Sequence, residues 1–268
     1  MFIVKVPGIN GLRKTNGCKE AGNAIIGELK NFSLSEFGKN INFDSLDFEE
    51  IHLDNSDLKH SDNLIHKNCM KIFETKPKTV FLGGDHSVSY SILKAFSEYC
   101  DNENKKPCLI IFDACVDLAE NSEVPNNNNW LKELIDIGFP AENVLIVGAR
   151  SISYEEKELV KSKGIKLIQM STLFEDIKGI CDTIMEFSRG KELYISIDIS
   201  VVDPAFAPST IHSETGGLSS REFIYLIQRL NKVKNLKAAD IVEINSEDDN
   251  KRDNLTVKLG AKILSELI

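Results

Sequence analysis

The stretch Tyr194-Ile-Ser-Ile-Asp198-Ile-Ser200-Val-Val-Asp203-Pro204 decides the fold of this chain. It begins as an apolar, β-branched run without a helical period, and a proline closes it, so it predicts a strand. Side chains alternate between the two faces of a strand, which predicts that Ser196, Asp198 and Ser200 point the same way. An aspartate inside such a strand is unfavourable unless it has a partner. Taken alone, Asp198 would be interpreted as a helix N-cap or as a salt-bridged residue at a strand end.

Strands and helices alternate along the whole chain. The predicted strands are 2–6, 48–53, 79–82, 108–112, 144–147, 166–169, the stretch from Tyr194, and 239–244. The predicted helices are 20–29, 60–73, 89–99, 129–137, 155–163, 173–187, 221–230 and a closing helix that runs to 268. Apolar strands in such an alternation are typical of a parallel sheet covered on both faces. The pattern fits either a doubly wound open sheet or a closed barrel.

Two loops and the domain count complete this outline. A glycine-rich, basic loop follows the first strand, and the asparagine tract 126–129 is predicted to lie on the surface. No linker, proline-rich tract or shift in composition divides the chain. We therefore expect a single domain over residues 1–268.

Composition excludes several classes of partner. The 268 residues carry 32 basic and 41 acidic side chains, and the net charge of -9 argues against binding to nucleic acid or to an anionic membrane surface. No apolar run approaches the roughly 20 residues of a membrane span, and no signal peptide is visible. The six cysteines are scattered without a C-x-x-C pair, so they predict free thiols in a cytoplasmic protein.

Polar residues stand at or near the ends of several predicted strands. His86 follows the third strand, Asp113 and Asp117 follow the fourth, and Glu243 lies on the eighth, while Asp198 lies on the seventh. Each has a simpler interpretation, such as a helix cap or a surface carboxylate. Together they favour a shared site, because ligands of open parallel sheets bind at the carboxyl ends of the strands. A histidine with several carboxylates suits a hard or borderline divalent cation such as Mn²⁺.

Five motifs stand in a fixed order from about residue 79 to the C-terminus. They are Gly-Gly-Asp-His86-Ser, Asp113-Ala-Cys115-Val-Asp117, Ser196-Ile-Asp198-Ile-Ser200-Val-Val-Asp203-Pro-Ala-Phe-Ala-Pro, Gly216-Gly-Leu-Ser-Ser-Arg-Glu222 and Asp240-Ile-Val-Glu243-Ile-Asn. Their order and spacing resemble the ureohydrolase superfamily, which includes arginase, agmatinase, guanidinobutyrase, proclavaminate amidinohydrolase and formiminoglutamase. The first 75 residues match that superfamily only in pattern.

The resemblance implies a fold, a reaction and an assembly. The implied fold is a three-layer α/β/α domain with a central, mostly parallel eight-stranded sheet. The implied reaction is hydrolysis of a guanidino or formimino C–N bond in a small linear amidine at a two-manganese site. The implied assembly is a homotrimer or hexamer.

The resemblance also assigns metal ligands. One metal would take four residues, all present here: His86, Asp113, Asp117 and Asp198. A second metal would share Asp113 and Asp198, and would also take a histidine where this chain has Cys115 and an aspartate where it has Ser200. A thiolate prefers softer ions than Mn²⁺. We therefore expect one Mn²⁺ ion, with a second ion or a softer metal such as Zn²⁺ as alternatives.

Further departures lie in two loops. The superfamily's proton-shuttling histidine is absent from the tract 126–129, and its T-G-T-P-E sequence is Thr210-Ile211-His212-Ser213-Glu214 here. His212 is a candidate to bind substrate or to replace the missing ligand or shuttle, although a loop histidine is more often a surface residue. Glu243 is retained, and in the superfamily it receives the guanidinium. The resemblance assigns catalytic roles to Asp113 and Glu243.

Three hypotheses for function follow. The chain is an active hydrolase of weak or altered activity that uses one metal, or two with Cys115 as an unusual ligand, or it is an altered hydrolase that uses a softer metal such as Zn²⁺ held partly by Cys115. Alternatively, it is a degenerate member of the superfamily that acts as a binding, assembly or regulatory subunit. The motifs do not specify the substrate among guanidino and formimino compounds.

Overall fold

One eight-stranded sheet runs through the protein in a computed structural model that describes residues 1–11, 14–120 and 122–268. Its strands are β1 (Phe2–Val6), β2 (Asp47–Glu50), β3 (Thr79–Gly83), β4 (Pro107–Phe112), β5 (Val144–Ala149), β6 (Lys166–Gln169), β7 (Glu192–Asp198) and β8 (Leu236–Val242). All seven neighbouring pairs are parallel, and the order is β2-β1-β3-β8-β7-β4-β5-β6. The sheet is open, with β2 and β6 at its edges, so the barrel alternative is wrong. Part of the predicted basic loop, Leu12 and Arg13, lies outside the described residues.

Helices cover both faces of the sheet. They are α1 (Ala21–Leu29), α2 (Leu58–Thr75), α3 (Val88–Asn102), α4 (Trp130–Asp136), α5 (Tyr154–Lys163), α6 (Met170–Glu175), α7 (Ile177–Phe187), α8 (Ser220–Leu230), α9 (Ser246–Asp249) and α10 (Leu255–Leu267). Strand alternation divides the core into two layers. Ile110 and Ile195 pack in the layer that holds α1, α8 and α10, whereas Leu109 and Tyr194 pack in the layer that holds α2, α3 and α4. The predicted three-layer fold is confirmed.

Three local predictions were wrong. Strand β7 ends at Asp198, and Ser200 lies in a 3₁₀ turn, Ile199–Val201, so strand alternation does not set its direction. The predicted helix 173–187 is two helices, because Asp176 has an extended φ of −151° and caps α7 by accepting from the Gly179 N–H. The second strand ends at Glu50, three residues earlier than predicted.

The order of the strands places the C-terminal ends of β3, β8, β7 and β4 side by side at the centre of the sheet. Strands β3 and β4 are consecutive in the chain, but β8 and β7 lie between them in the sheet. Ligands of open α/β sheets bind in such a crevice. None of the helices within the described ranges is long and apolar enough to cross a membrane.

Candidate metal centre

His86 stands at the centre of a buried cluster of carboxylates. His86 follows β3 after a turn at Gly84. A side chain at Gly84 would clash there, because an added Cβ would lie 2.0 Å from the Gly8 carbonyl oxygen. The His86 Nδ1 atom lies 3.2 Å from Asp113 Oδ2, 3.0 Å from Asp117 Oδ2 and 3.4 Å from Asp198 Oδ2. His86 Nδ1 and Asp113 Oδ2 are buried without a hydrogen-bond partner. A ring nitrogen thus faces three carboxylate oxygens.

A polar chain behind His86 fixes which ring nitrogen faces that cluster. His86 Nε2 lies 3.0 Å from the Ser196 hydroxyl, which donates to Asp240 Oδ1 at 2.8 Å. Asp240 Oδ2 accepts from the Ser89 and Tyr194 hydroxyls. Because the Ser196 proton goes to Asp240, its oxygen accepts from the Nε2–H, which leaves Nδ1 as the ring nitrogen that faces the carboxylates. Metal-bound histidines are commonly oriented by such a bond from the other ring nitrogen.

The outer oxygens of two carboxylates are held by protein donors. Asp113 Oδ1 accepts from the Cys115 N–H at 2.8 Å and from the Ser200 hydroxyl at 3.2 Å. Asp198 Oδ1 accepts from the Ser200 N–H at 2.7 Å. The Oδ2 atoms of both residues therefore face His86, while their Oδ1 atoms are turned towards the two altered ligand positions.

The electrostatics of the cluster favour a bound proton or a bound cation. Burial raises the pKa of the Asp113 carboxyl, and the Asp117 charge adds to the rise. Burial also raises the pKa of Asp198, with a further contribution from Asp113. Burial opposes the charged form of His86, but the three nearby carboxylates outweigh it and hold its pKa well above the usual value. Buried charges in proteins are paired or coordinate a metal, so this cluster demands a proton or a metal ion.

The donor atoms fit a divalent metal. Ligand atoms of His86, Asp113 and Asp198 all lie within 4.8 Å of one another. Adjacent ligand atoms around an octahedral ion lie about 2.9 to 3.5 Å apart when the bonds are about 2.1 to 2.5 Å. The separations of 3.0 to 3.4 Å around His86 Nδ1 fall within that interval. One imidazole and three carboxylates match hard or borderline ions.

Glu243 lies beside this cluster, one residue beyond the end of β8 and not on the strand as predicted. Its φ of 65° is in the left-handed region, which is unusual for a residue with a side chain. Its Oε1 accepts from the His86 N–H at 2.9 Å, whereas its Oε2 is buried without a partner. Burial, then the charges of Asp198 and Asp85, raise its pKa well above the usual value. Because Glu243 Oε2 has no partner, it is available to accept from an N–H of a bound molecule.

Asp85 fixes the N-terminal loop beside His86. Its buried Oδ2 accepts from the Asn10 N–H and the Thr15 hydroxyl, both at 2.6 Å. Its Oδ1 accepts from the Ser87 N–H at 3.1 Å. This aspartate therefore links the loop after β1 to the residues that carry His86.

The two divergent loops contact each other. Within the tract 126–129, which was predicted to lie on the surface, Asn127 and Asn129 are buried. Asn129 is held by a bond from its amide to the Glu120 carbonyl at 2.9 Å. The Asn127 amide nitrogen lies 3.4 Å from Nε2 of the half-buried His212. The surface prediction is thus wrong for two of four asparagines, and the role of His212 stays a prediction.

Three residues that the sequence did not assign support the candidate ligands, two by direct contact and one through Ser196. Ser196 and Asp240 carry the polar chain behind His86. Trp130 donates from its indole Nε1 to Asp117 Oδ2 at 2.7 Å. Polar residues within apolar strands were a usable signal for the first two. The contact of Trp130 depends on how α4 packs, which no local pattern reports.

Comparisons with known proteins match the whole chain to one family and its fold. A model of the arginase family matches residues 1–268. A mitochondrial arginase of Medicago truncatula is 30% identical over 245 residues, which are 88% of this chain and 70% of that protein. Mitochondrial arginase 1 of Arabidopsis thaliana is 32% identical over 206 residues, which are 76% of this chain but only 58% of that protein. The structure of proclavaminate amidino hydrolase from Streptomyces clavuligerus has the same fold, with a TM-score of 0.87, 23% identity, and coverage of 99% of this chain and 89% of that one.

Proposed function

The chain belongs to the arginase family, and from this premise we propose that it is a metal-dependent hydrolase of linear amidines. The bond cleaved would be a non-peptide C–N bond of a small guanidino or formimino compound. One observation carries the proposal: the buried, unpartnered Nδ1 of His86 faces carboxylate oxygens of Asp113, Asp117 and Asp198. Buried carboxylates in such a constellation destabilise the fold unless a proton or a cation neutralises them.

The proposed ion is a single Mn²⁺ held by those four residues. When bound, such an ion lowers the pKa of a water ligand and so supplies a hydroxide near neutral pH. Asp113 is the proposed proton carrier, since a carboxylate beside the ion can pass a proton to the leaving amine. Glu243 Oε2, also unpartnered, would accept an N–H of the substrate cation. His212, on the loop that meets Asn127, would contact the rest of the substrate.

The proposed site is reduced in comparison with a two-metal site. A second ion would need Asp113 Oδ1 and Asp198 Oδ1, and both accept hydrogen bonds from Ser200. Burial, then the charges of neighbouring carboxylates, raise the pKa of the Cys115 thiol, which disfavours the thiolate that a metal would bind. We infer weak or altered activity, since one ion fixes a water less firmly than two do. A softer ion such as Zn²⁺ would favour the Cys115 thiolate and is the alternative metal.

A second candidate function rests on the same substitutions. If Ser200 and Cys115 abolish turnover, the chain would keep the fold as a binding, assembly or regulatory subunit. For either function we propose one domain, assembled as a homotrimer or hexamer in the cytoplasm. The six cysteines, all in the described part of the chain, are free, which fits a reducing compartment.

Hydrolysis assays on metal-loaded protein separate the two functions. Protein loaded with Mn²⁺ is tested on a panel of guanidino and formimino compounds for release of urea or the matching amide. The control is Glu243→Gln, which keeps the acceptor for the His86 N–H but loses the charge that would bind the substrate. We expect turnover by the wild type and loss of turnover in the variant at unchanged metal content. A metal-loaded wild type that is inert across the panel would contradict the hydrolase and favour the subunit.

A further inference from the structure

Trp130 contacts two of the candidate ligands at once. It is the single tryptophan of the chain, is fully buried and is the first residue of α4. Its indole N–H donates to Asp117 Oδ2 at 2.7 Å, and its ring centroid lies 4.5 Å from that of His86. The same Asp117 oxygen lies 3.0 Å from His86 Nδ1. Trp130 therefore touches the oxygen that faces the proposed ion.

Asp117 differs from the other two aspartates in how it is held. Asp113 and Asp198 each accept from a backbone N–H two residues further along, on Cys115 and Ser200. Asp117 lies in the loop after β4 with a φ of 51°, and its donor is a side chain 13 residues away. Its direction therefore depends on where α4 places the indole.

Packing alone does not explain this arrangement. A buried tryptophan ordinarily contributes apolar area, and Trp130 does belong to the layer that contains Phe96 and Leu134. Its polar edge, however, is directed at a carboxylate oxygen that already faces an unpartnered nitrogen. Outer donors of this kind fix the orientation of metal ligands, and their loss typically weakens metal binding about 10- to 100-fold.

We propose that Trp130 is a positioning residue of the metal centre, whose indole N–H holds Asp117 Oδ2 towards the ion. The proposal rests on the metal site inferred above. It is specific to the N–H group, because a phenyl ring at this position retains the packing on His86 but cannot donate. The arrangement also makes Trp130 fluorescence a direct reporter of the centre, since no other tryptophan contributes.

Calorimetric titration with Mn²⁺ tests the proposal. Trp130→Phe is expected to raise the Kd about tenfold, whereas Leu131→Val, an adjacent buried residue on the same helix, is expected to leave it within about twofold. In the Asp117→Asn background, Trp130→Phe should no longer change the Kd for Mn²⁺, because the hydrogen bond from the Trp130 indole to the Asp117 carboxylate is already altered. An unchanged Kd in Trp130→Phe, or an equal loss in both backgrounds, would overturn the proposal. Absence of Mn²⁺ binding by the wild type would instead contradict the metal site itself.

Metal-free protein provides a second readout that does not need Trp130→Phe to fold. The single indole N–H gives one proton–nitrogen resonance, which a short bond to a carboxylate moves downfield. Asp117→Asn should move that resonance upfield, and Zn²⁺, a diamagnetic ion, should shift it in the wild type. Quenching of Trp130 fluorescence by Mn²⁺ should follow the same binding curve as calorimetry. If Asp117→Asn left the chemical shift of the indole N–H unchanged, the hydrogen bond on which the proposal depends would be refuted.

Discussion

Replacing Ser200 with aspartate tests whether the carboxylates converge as described. The Ser200 hydroxyl lies 3.2 Å from Asp113 Oδ1, and its N–H is bound to Asp198 Oδ1. A carboxylate at this position would stand beside two others in a buried site. In metal-free protein, Ser200→Asp therefore adds like charge where the wild type has a hydrogen-bond donor.

The expected cost follows from these distances. Two unit charges about 4 Å apart repel by about 4 kcal/mol at an effective dielectric constant of about 20. Uptake of a proton by the new carboxyl relieves part of this repulsion. We expect the free energy of unfolding to fall by about 2 to 3 kcal/mol, with about 1 kcal/mol more for the lost Ser200 hydrogen bond. For a chain of this size the Tm should drop by roughly 5 to 12 °C.

Thermal unfolding with and without Mn²⁺ measures this effect. The matched control is Ser200→Asn, which has the same shape without the charge and should lose about 1 kcal/mol. Added Mn²⁺ should restore stability more in Ser200→Asp than in Ser200→Asn. The double variant Cys115→His with Ser200→Asp should recover most, bind a second ion and hydrolyse faster than the wild type. Equal losses in the Asp and Asn variants, with no recovery in Mn²⁺, would refute the placement of Ser200 against the carboxylates.

Three other predictions concern the polar chain behind His86, a half-buried carboxylate on α2 and assembly. Ser196→Ala removes the acceptor of the His86 Nε2–H, so calorimetry should show metal affinity about 10- to 100-fold weaker while Ser196→Thr retains it; equal affinities would contradict that role. Burial raises the pKa of Asp62 to about 6, so its stabilising contribution is complete below about pH 4 and is lost as the pH rises through 6. In urea unfolding at pH 7.5, Asp62→Asn should therefore increase the free energy of unfolding by about 1 to 2 kcal/mol, and at pH 3.5 it should give no gain. The Ser91 hydroxyl keeps an acceptor in the variant, so no hydrogen bond is lost. Light scattering should give a trimer or a multiple of it, and a monomer at micromolar concentration would contradict the assembly.

Part of the architecture could be predicted from the sequence, because strands that are buried on both faces are continuous apolar runs. Strand β4 is an uninterrupted apolar run, and the polar residues that follow it had to lie at the carboxyl edge of a parallel sheet. The approach of His86 to Asp113 and Asp198 followed from the motifs and the strand order. The four ligand candidates, three of them in loops, thus came together as predicted in space, while their role as metal ligands stays a prediction.

Other features depended on turns and packing that carry no periodic signal. Ser200 reaches Asp113 through a 3₁₀ turn that begins where the strand was expected to continue. Asn129 is buried because its amide satisfies a loop carbonyl, which composition alone cannot distinguish from exposure to water. The bond from Trp130 to Asp117 arises from the docking of α4, so a pattern that identifies the helix does not predict it.

Metal stoichiometry tests the central claim most directly. Protein purified without chelator is loaded with Mn²⁺, freed of excess ion and examined by elemental analysis beside Asp198→Asn. We predict one ion per chain in the wild type and none in the variant, because the variant removes a charged oxygen from the cluster around His86. Two ions per wild-type chain would contradict the reduced site, and no bound ion would contradict the assignment of these residues as a metal centre.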